Sequence, residues 1–125
     1  MKVSADVIGI VDDDEGIRVA LDALFRSAAF RVVTFPSAEA LLSSTSLQII
    51  TCLVLDLHLP GMSGLHLQRR LADDGRTTPI IVLTAHGDEA ARARAMDEGA
   101  VAFLTKPFNG DLLLAEVARA LSQIK

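Results

Sequence analysis

The sequence predicts an α/β domain, a doubly wound five-stranded parallel sheet built as (βα)5. Three observations carry this. Five short apolar runs recur along the 125 residues, at VIGIV, RVVTF, CLVL, PIIVLT and VAFLT. Each is followed by turn or capping residues and then by a stretch of helical spacing or helix-forming composition. Every run reads as too apolar for a wet face, which places helices on both sides of parallel strands joined by right-handed crossovers.

Val7 to Val11 (VIGIV) forms strand one and ends in three acids, Asp12, Asp13 and Asp14. Ile17, Ala20, Leu21, Leu24, Phe25 and Ala28 follow as one apolar stripe of a helix. Asp14 is placed to cap it, and acids in its first turn suit the helix dipole. Arg31 to Phe35 (RVVTF) is β-branched and aromatic, a second strand, broken by Pro36-Ser37. A short helix over Ala38 to Leu42 then fades into the serine-rich loop Ser43 to Ser46. Cys52 to Leu55 (CLVL) is strand three, a continuous apolar run that meets a single carboxylate, Asp56, and then a turn with Pro60, Gly61 and Gly64. Ser63 caps a helix carrying Leu67 and Leu71, which dissolves in the polar run Asp73 to Thr78. Pro79 to Thr84 (PIIVLT) is strand four. Asp88 to Glu98 is alanine- and charge-rich, hence helical, with Gly99 as its stop. Val101 to Thr105 (VAFLT) is strand five, followed by Lys106-Pro107. Asn109 caps a last helix with Leu113, Val117, Ala120, Leu121 and Ile124 on one face.

The length fits one domain, residues 1–125, and a hydrophobic fraction of 50% is enough for a core. The net charge of -4 argues against a broad nucleic-acid footprint on this chain, since such footprints are basic. The single cysteine, Cys52, lies within an apolar run and reads as a small buried hydrophobe. No disulfide within the chain is possible, which fits a reducing compartment. No signal peptide and no membrane span are expected.

In an open α/β sheet, ligands bind at the carboxyl ends of the strands. Strand one ends in Asp12 and Asp13, strand three in Asp56, strand four in Thr84 and Ala85, and strand five in Lys106-Pro107. Each has an ordinary explanation alone: Asp12–Asp14 as a helix-start cluster, Asp56 as a turn residue, Thr84 as a strand residue, Lys106 as a solvated charge. Together, four matching groups at four strand ends of one sheet edge point to a site. Carboxylates this close repel unless a cation sits among them, and with no His or Cys cluster the ligands are hard oxygens, so Mg²⁺ is the natural ion. Asp12, Asp13 and Asp56 carry -3, and Lys106 with Mg²⁺ carries +3. Asp56 stands as the candidate nucleophile, with Lys106 and Thr84 placed to bind phosphoryl oxygens. His58 and His86, two residues beyond Asp56 and Thr84, are expected at the rim.

The motifs VDDD, LDLHLPGMSG, LTAHGD and FLTKPF, in this order and spacing, make the chain resemble a receiver domain of two-component response regulators along essentially its whole length. AHGD and FLTKPF are most similar to the FixJ-type branch, whose members usually continue into a helix-turn-helix DNA-binding domain. The resemblance implies a flavodoxin-like, CheY-like fold with strand order 2-1-3-4-5. It makes Asp56 the phosphoacceptor, phosphorylated by a sensor histidine kinase in the cytoplasm. It gives Mg²⁺ to Asp12, Asp13, Asp56 and the backbone carbonyl of His58. Thr84 and Lys106 would contact the phosphoryl group, and the Lys106-Pro107 bond would be cis. Phe103 would be the aromatic that follows the switch, turning from partly exposed to buried. It further implies self-association through the fourth helix and fifth strand on phosphorylation, and DNA contact only through an output domain outside this chain.

Three other readings compete. A dehalogenase-type phosphatase also uses a strand-end Asp, Mg²⁺ and Lys, but needs a second acid where this chain has His58, and usually a cap domain. A nucleotide-binding module needs a glycine-rich turn after strand one, where three aspartates would repel a pyrophosphate. A receiver-like domain that only binds partners would not need the acid pair, Asp56, Thr84 and Lys106 intact.

Overall fold

The structure, a computed structural model, describes residues 5–85 and 87–123. His86 and Ile124, both singled out above, lie outside the described residues. The elements alternate as β1 (Val7–Val11), α1 (Glu15–Ser27), β2 (Arg31–Phe35), α2 (Ala38–Leu42), β3 (Cys52–Leu55), α3 (Gly64–Asp73), β4 (Ile80–Thr84), α4 (Glu89–Asp97), β5 (Ala102–Thr105) and α5 (Gly110–Ser122). All five strands pair in parallel, in the order β2-β1-β3-β4-β5. No helix among the described residues is long and apolar enough to cross a membrane.

Asp14, Ser63 and Asn109 cap their helices where the sequence places them, and Ser37 and Asp88 turn out to be caps as well, Asp88 lying just before α4 and not inside it. The side chains of Asp14, Ser37, Ser63, Asp88 and Asn109 each accept a hydrogen bond from a backbone N–H in the first turn of their helix. These bonds satisfy donors that the helix itself leaves open.

The sheet separates two packed layers. On one side Leu21 and Phe25 of α1 meet Leu113, Val117 and Leu121 of α5 over Ile8, Ile10, Cys52 and Val54. On the other, Ala38 and Leu41 of α2, Leu67 and Leu71 of α3 and Ala95 of α4 cover Val11, Leu53, Leu55 and Val82. Cys52 is buried with a free thiol, as expected of a small hydrophobe.

Three expectations need correction. The sheet is not dry throughout: β2 exposes Arg31 and Thr34 while burying Val32 and Phe35, and β5 exposes Thr105. Both are edge strands, so one flank and part of each face meet solvent. The serine-rich stretch is not only loop, because Thr45–Gln48 forms a 3₁₀ turn. Ser44 starts it by accepting from the Ser46 N–H at 3.0 Å. Pro79 and Val101 precede their strands instead of opening them, yet both join the ladder, the Pro79 carbonyl accepting from Leu53 and the Val101 N–H donating to Ile80.

Register fixes where the site falls. Val11 pairs with Leu55, so the next residues, Asp12 and Asp56, emerge side by side. Thr84 pairs with Thr105, so Lys106 emerges beside the end of β4. The ladder runs one bond further at each place, with Asp56 N–H on the Val11 carbonyl at 3.0 Å and Lys106 N–H on the Thr84 carbonyl at 2.9 Å.

Candidate functional site

Strand pairing therefore brings Asp12, Asp56 and Lys106 to one point. The Lys106 ammonium donates to Asp12 Oδ2 at 2.7 Å and to Asp56 Oδ2 at 2.9 Å. The three side chains are 14%, 3% and 7% exposed in the order Lys106, Asp12, Asp56. Each acid uses its second oxygen on the backbone two residues ahead. Asp12 Oδ1 accepts from Asp14 N–H at 2.9 Å, and Asp56 Oδ1 accepts from His58 N–H at 3.0 Å. Such turns aim a carboxylate back over its own loop and fix its rotamer. Arg18, one turn into α1, donates to the Asp12 carbonyl at 2.8 Å and ties that helix to the acid.

The loop after Asp56 is held from two directions. A Cβ at Gly64 would press on the Asp56 carbonyl and the Leu57 Cα, so only glycine lets α3 start this close to the acid. Glu39 of α2 accepts from Met62 N–H at 2.9 Å. That bond is the first cause of a Glu39 pKa below the ordinary value.

The charges respond to their surroundings in opposite ways. Burial raises the Asp12 pKa, and its hydrogen bonds from Lys106 and Asp14 offset only part of that. For Lys106, burial alone would lower the pKa. The hydrogen bonds to Asp12 and Asp56 outweigh it, so the ammonium is held protonated above its ordinary range. Two short bonds, at 2.7 and 2.9 Å, hold the ammonium in that state.

Asp13 stays exposed at the mouth, and Asp12, Asp13 and Asp56 each bring an oxygen within 4.8 Å of the others. Three carboxylates and no ring nitrogen or thiolate make a hard-oxygen set, which fits a hard divalent cation. Against one ammonium, three carboxylates leave a formal charge of -2 for such an ion to balance.

Thr84 closes β4 with its side chain buried. Phe103 pairs with Val82 in the sheet and is 8% exposed, packed in the core that α4 covers. The sequence reading expected this ring to start partly exposed; in this structure it is already buried. The Lys106-Pro107 bond is cis, as the resemblance implied. His58 borders a cleft of about 560 Å³ that opens between the β3–α3 loop and α4, with Leu59, Ser63, Asp88 and Arg94. Sequence reasoning missed the Arg18 bond to Asp12 and the Glu39 bond to Met62, because neither spacing carries a signal in a single sequence.

A family model for the response regulator receiver domain matches residues 8–118. The chain belongs to the response regulator receiver domain family. It is 43% identical over 121 residues to the response regulator protein TmoT of Ectopseudomonas mendocina, covering 97% of this chain and 55% of that protein. It is 46% identical over 114 residues to nodulation protein W of Bradyrhizobium diazoefficiens, covering 91% of this chain and 50% of that one. A crystal structure of FixJ-N superposes with a TM-score of 0.84 at 37% identity, covering 94% of each chain. The receiver family and its FixJ-type affinity thus stand as expected from the motifs. The receiver spans about half the length of the curated relatives it matches.

Proposed function

We propose that this receiver domain takes a phosphoryl group onto Asp56 from a sensor histidine kinase, in a Mg²⁺-dependent reaction in the cytoplasm, and passes the change to an output region that regulates transcription. The observation that carries this is the Lys106 ammonium bridging two buried carboxylates, Asp12 and Asp56, at 2.7 and 2.9 Å. A buried acid held between a lysine and a backbone N–H is oriented and stripped of water, as a nucleophile needs.

Asp12, Asp13, Asp56 and the His58 carbonyl would hold the ion. Mg²⁺ held there would supply positive charge against the transferring phosphoryl oxygens. In the transfer, a carboxylate oxygen of Asp56 forms the new O–P bond as the N–P bond to the donor histidine breaks, and the electron pair leaves with the imidazole, which takes a proton. Lys106 would then release its bond to Asp56 and follow the charge onto a phosphoryl oxygen. Thr84, buried one strand away, would offer its hydroxyl to another. The domain acts on no other substrate in this reading: it catalyses its own phosphorylation and dephosphorylation.

Phe103 is already buried, so Thr84 moving inward would act through the loop into α4 and not through a change in ring exposure. The α4–β5 face would then pair with its twin in a second copy. Sedimentation with and without beryllofluoride tests this, and a monomer in both states at high concentration would rule that face out.

The chemistry is tested by incubation with acetyl phosphate and Mg²⁺ followed by intact mass. One phosphoryl group is expected on the wild type, and none on Asp56→Asn or after chelation. Normal labelling of Asp56→Asn would overturn the assignment.

A further inference from the structure

We propose, taking Asp12, Asp13 and Asp56 as the residues that hold Mg²⁺ in the reading above, that Arg18 is a positioning residue for that ion and sets the direction of Asp13 through the backbone of Asp12. Arg18 lies in the first turns of α1. Its Nη1 donates to the Asp12 carbonyl at 2.8 Å. That carbonyl belongs to the peptide that joins Asp12 to Asp13, a planar unit that turns only as a whole.

Of the three acids, Asp13 has the least support of its own. Asp12 and Asp56 are buried, share Lys106, and each takes the backbone N–H two residues ahead. Asp13 is exposed, and its side chain has no hydrogen bond or ion pair among the described residues. Where its carboxylate points therefore depends on the backbone that carries it. That backbone is tied on both sides, by the Asp12 N–H on the Phe35 carbonyl at 3.1 Å and by the Arg18 N–H on the Asp14 carbonyl at 3.1 Å. Arg18 thus closes the acidic loop twice, at Asp14 with its backbone and at Asp12 with its guanidinium. The first bond belongs to the helix and survives a change of side chain, and the second does not.

The guanidinium makes this bond although two carboxylates stand at helical spacing from it. Glu15 and Asp22 border the same groove of α1 as Arg18, at positions where side chains of one helix meet. Neither pairs with Arg18 among the described residues, and Asp22 is taken by Arg26 at 2.6 Å. Charge alone would make Arg18 an obstacle, because a cation beside the acids repels a divalent ion. Position and charge therefore predict opposite results when the guanidinium is removed.

The test is a Mg²⁺ titration of the full chain, read by NMR at the Asp13 and Asp14 backbone amides in about 1 M KCl, where screening within about 3 Å mutes the charge effect. Saturable shifts are expected in the wild type. Arg18→Met keeps the stem and the helix propensity. It should bind Mg²⁺ about threefold to tenfold more weakly, the low end of what lost support around a metal ligand costs. Arg18→Gln takes its place if the Met variant does not fold. Asp13→Asn removes the ligand itself, and in that background Arg18→Met should cost less than about twofold, because the acid it positions is gone. An Arg18→Met affinity equal to or above that of the wild type would overturn the proposal. So would the same loss with and without Asp13, which would mean that Arg18 acts elsewhere in the site. Wild-type shifts that never saturate would overturn the reading of the three acids as the ion's holders, and the proposal with it.

Discussion

Helix α1 follows β1 and helix α4 follows β4, and each starts on an aspartate cap, Asp14 bonding the Ile17 N–H and Asp88 the Ala91 N–H. They also end on the same pattern of backbone bonds, Ala29 to Arg26 and Phe30 to Phe25 in α1, Gly99 to Met96 and Ala100 to Ala95 in α4. Between these matching ends the packing differs. α1 buries Leu21 and Phe25, whereas α4 buries only Ala95. Arg18 of α1 further grips the Asp12 carbonyl, while α4 is tied to its neighbour by the Gln68 amide and the Arg69–Glu98 pair. The helix beside the acids is therefore clamped, and the helix after Thr84 is lightly held. In a receiver this is a useful division: the residues that would hold an ion need a fixed frame, and the element that would report its charge needs little energy to shift.

The largest effect expected from this contrast is in stability. Phe25→Ala removes a fully buried ring that also meets Phe30 edge-on at a centroid distance of 6.3 Å. It should cost about 3–5 kcal/mol by urea denaturation. Ala95→Gly removes the one side chain that α4 buries, and should cost about 1–2 kcal/mol from helix propensity and a lost methyl. Equal losses in the two variants would show that α4 is held as firmly as α1.

Much of this was legible in the chain, for definite reasons. β1, β2 and β3 begin and end where the apolar runs do, because turn residues bound them sharply. Ser63 and Asn109 announced their helices, because a short polar side chain before a helical stretch has few other uses. The meeting of Asp12, Asp56 and Lys106 followed from counting strand ends. What stayed hidden depends on contacts across the fold. Gln68 sits between Leu67 and Arg69 with nothing to mark it as buried. The exposure of Arg31 and Thr34 depends on β2 lying at an edge, which the residues of β2 do not state. The left-handed turn at Ala29 was invisible because alanine is not the residue that such a turn prefers.

The burial of Cys52 beneath α1 has a pH signature of middle size. Cys52 lies in that core, and burial first, with Asp6 second, pushes its thiol from 9.0 up to about 12. The folded thiol holds its proton where the unfolded one has lost it. Its contribution is therefore fully present below pH 9 and is lost as pH rises toward 12. By about pH 10.5 the loss should be about 2 kcal/mol. Cys52→Ala should be less stable at neutral pH yet decline less steeply above pH 9. Lys106, whose raised pKa means that its contribution holds below 10.5 and disappears as pH passes its folded value, adds its decline only above that range. Urea melts of both proteins at pH 8 and 10.5 provide the measurement. Parallel slopes would mean that water reaches the thiol in the folded protein.

The smallest expected effect concerns the two matching helix ends. Each closes with a residue at positive φ, Ala29 at 70° after α1 and Gly99 at 102° after α4. The Cβ of an L-residue crowds the following carbonyl there, a cost of roughly 1 kcal/mol that glycine avoids. α1 bears that cost, and the contact of Phe30 with Phe25 helps to hold the turn against it. Ala29→Gly should remove the strain at the expense of some chain entropy, for a net gain of up to about 0.5 kcal/mol. Gly99→Ala should do the reverse. A Cβ at Gly99 meets nothing within 4 Å, so the loss there is purely conformational, up to about 0.5 kcal/mol once the gain in chain entropy offsets part of the strain. The two substitutions are chemical mirror images at ends with the same hydrogen bonds, so thermal melts of the pair should move in opposite directions. Shifts of the same sign would show that packing around the ends, and not backbone conformation, decides how each helix stops, and would leave the likeness between α1 and α4 resting on their aspartate caps alone.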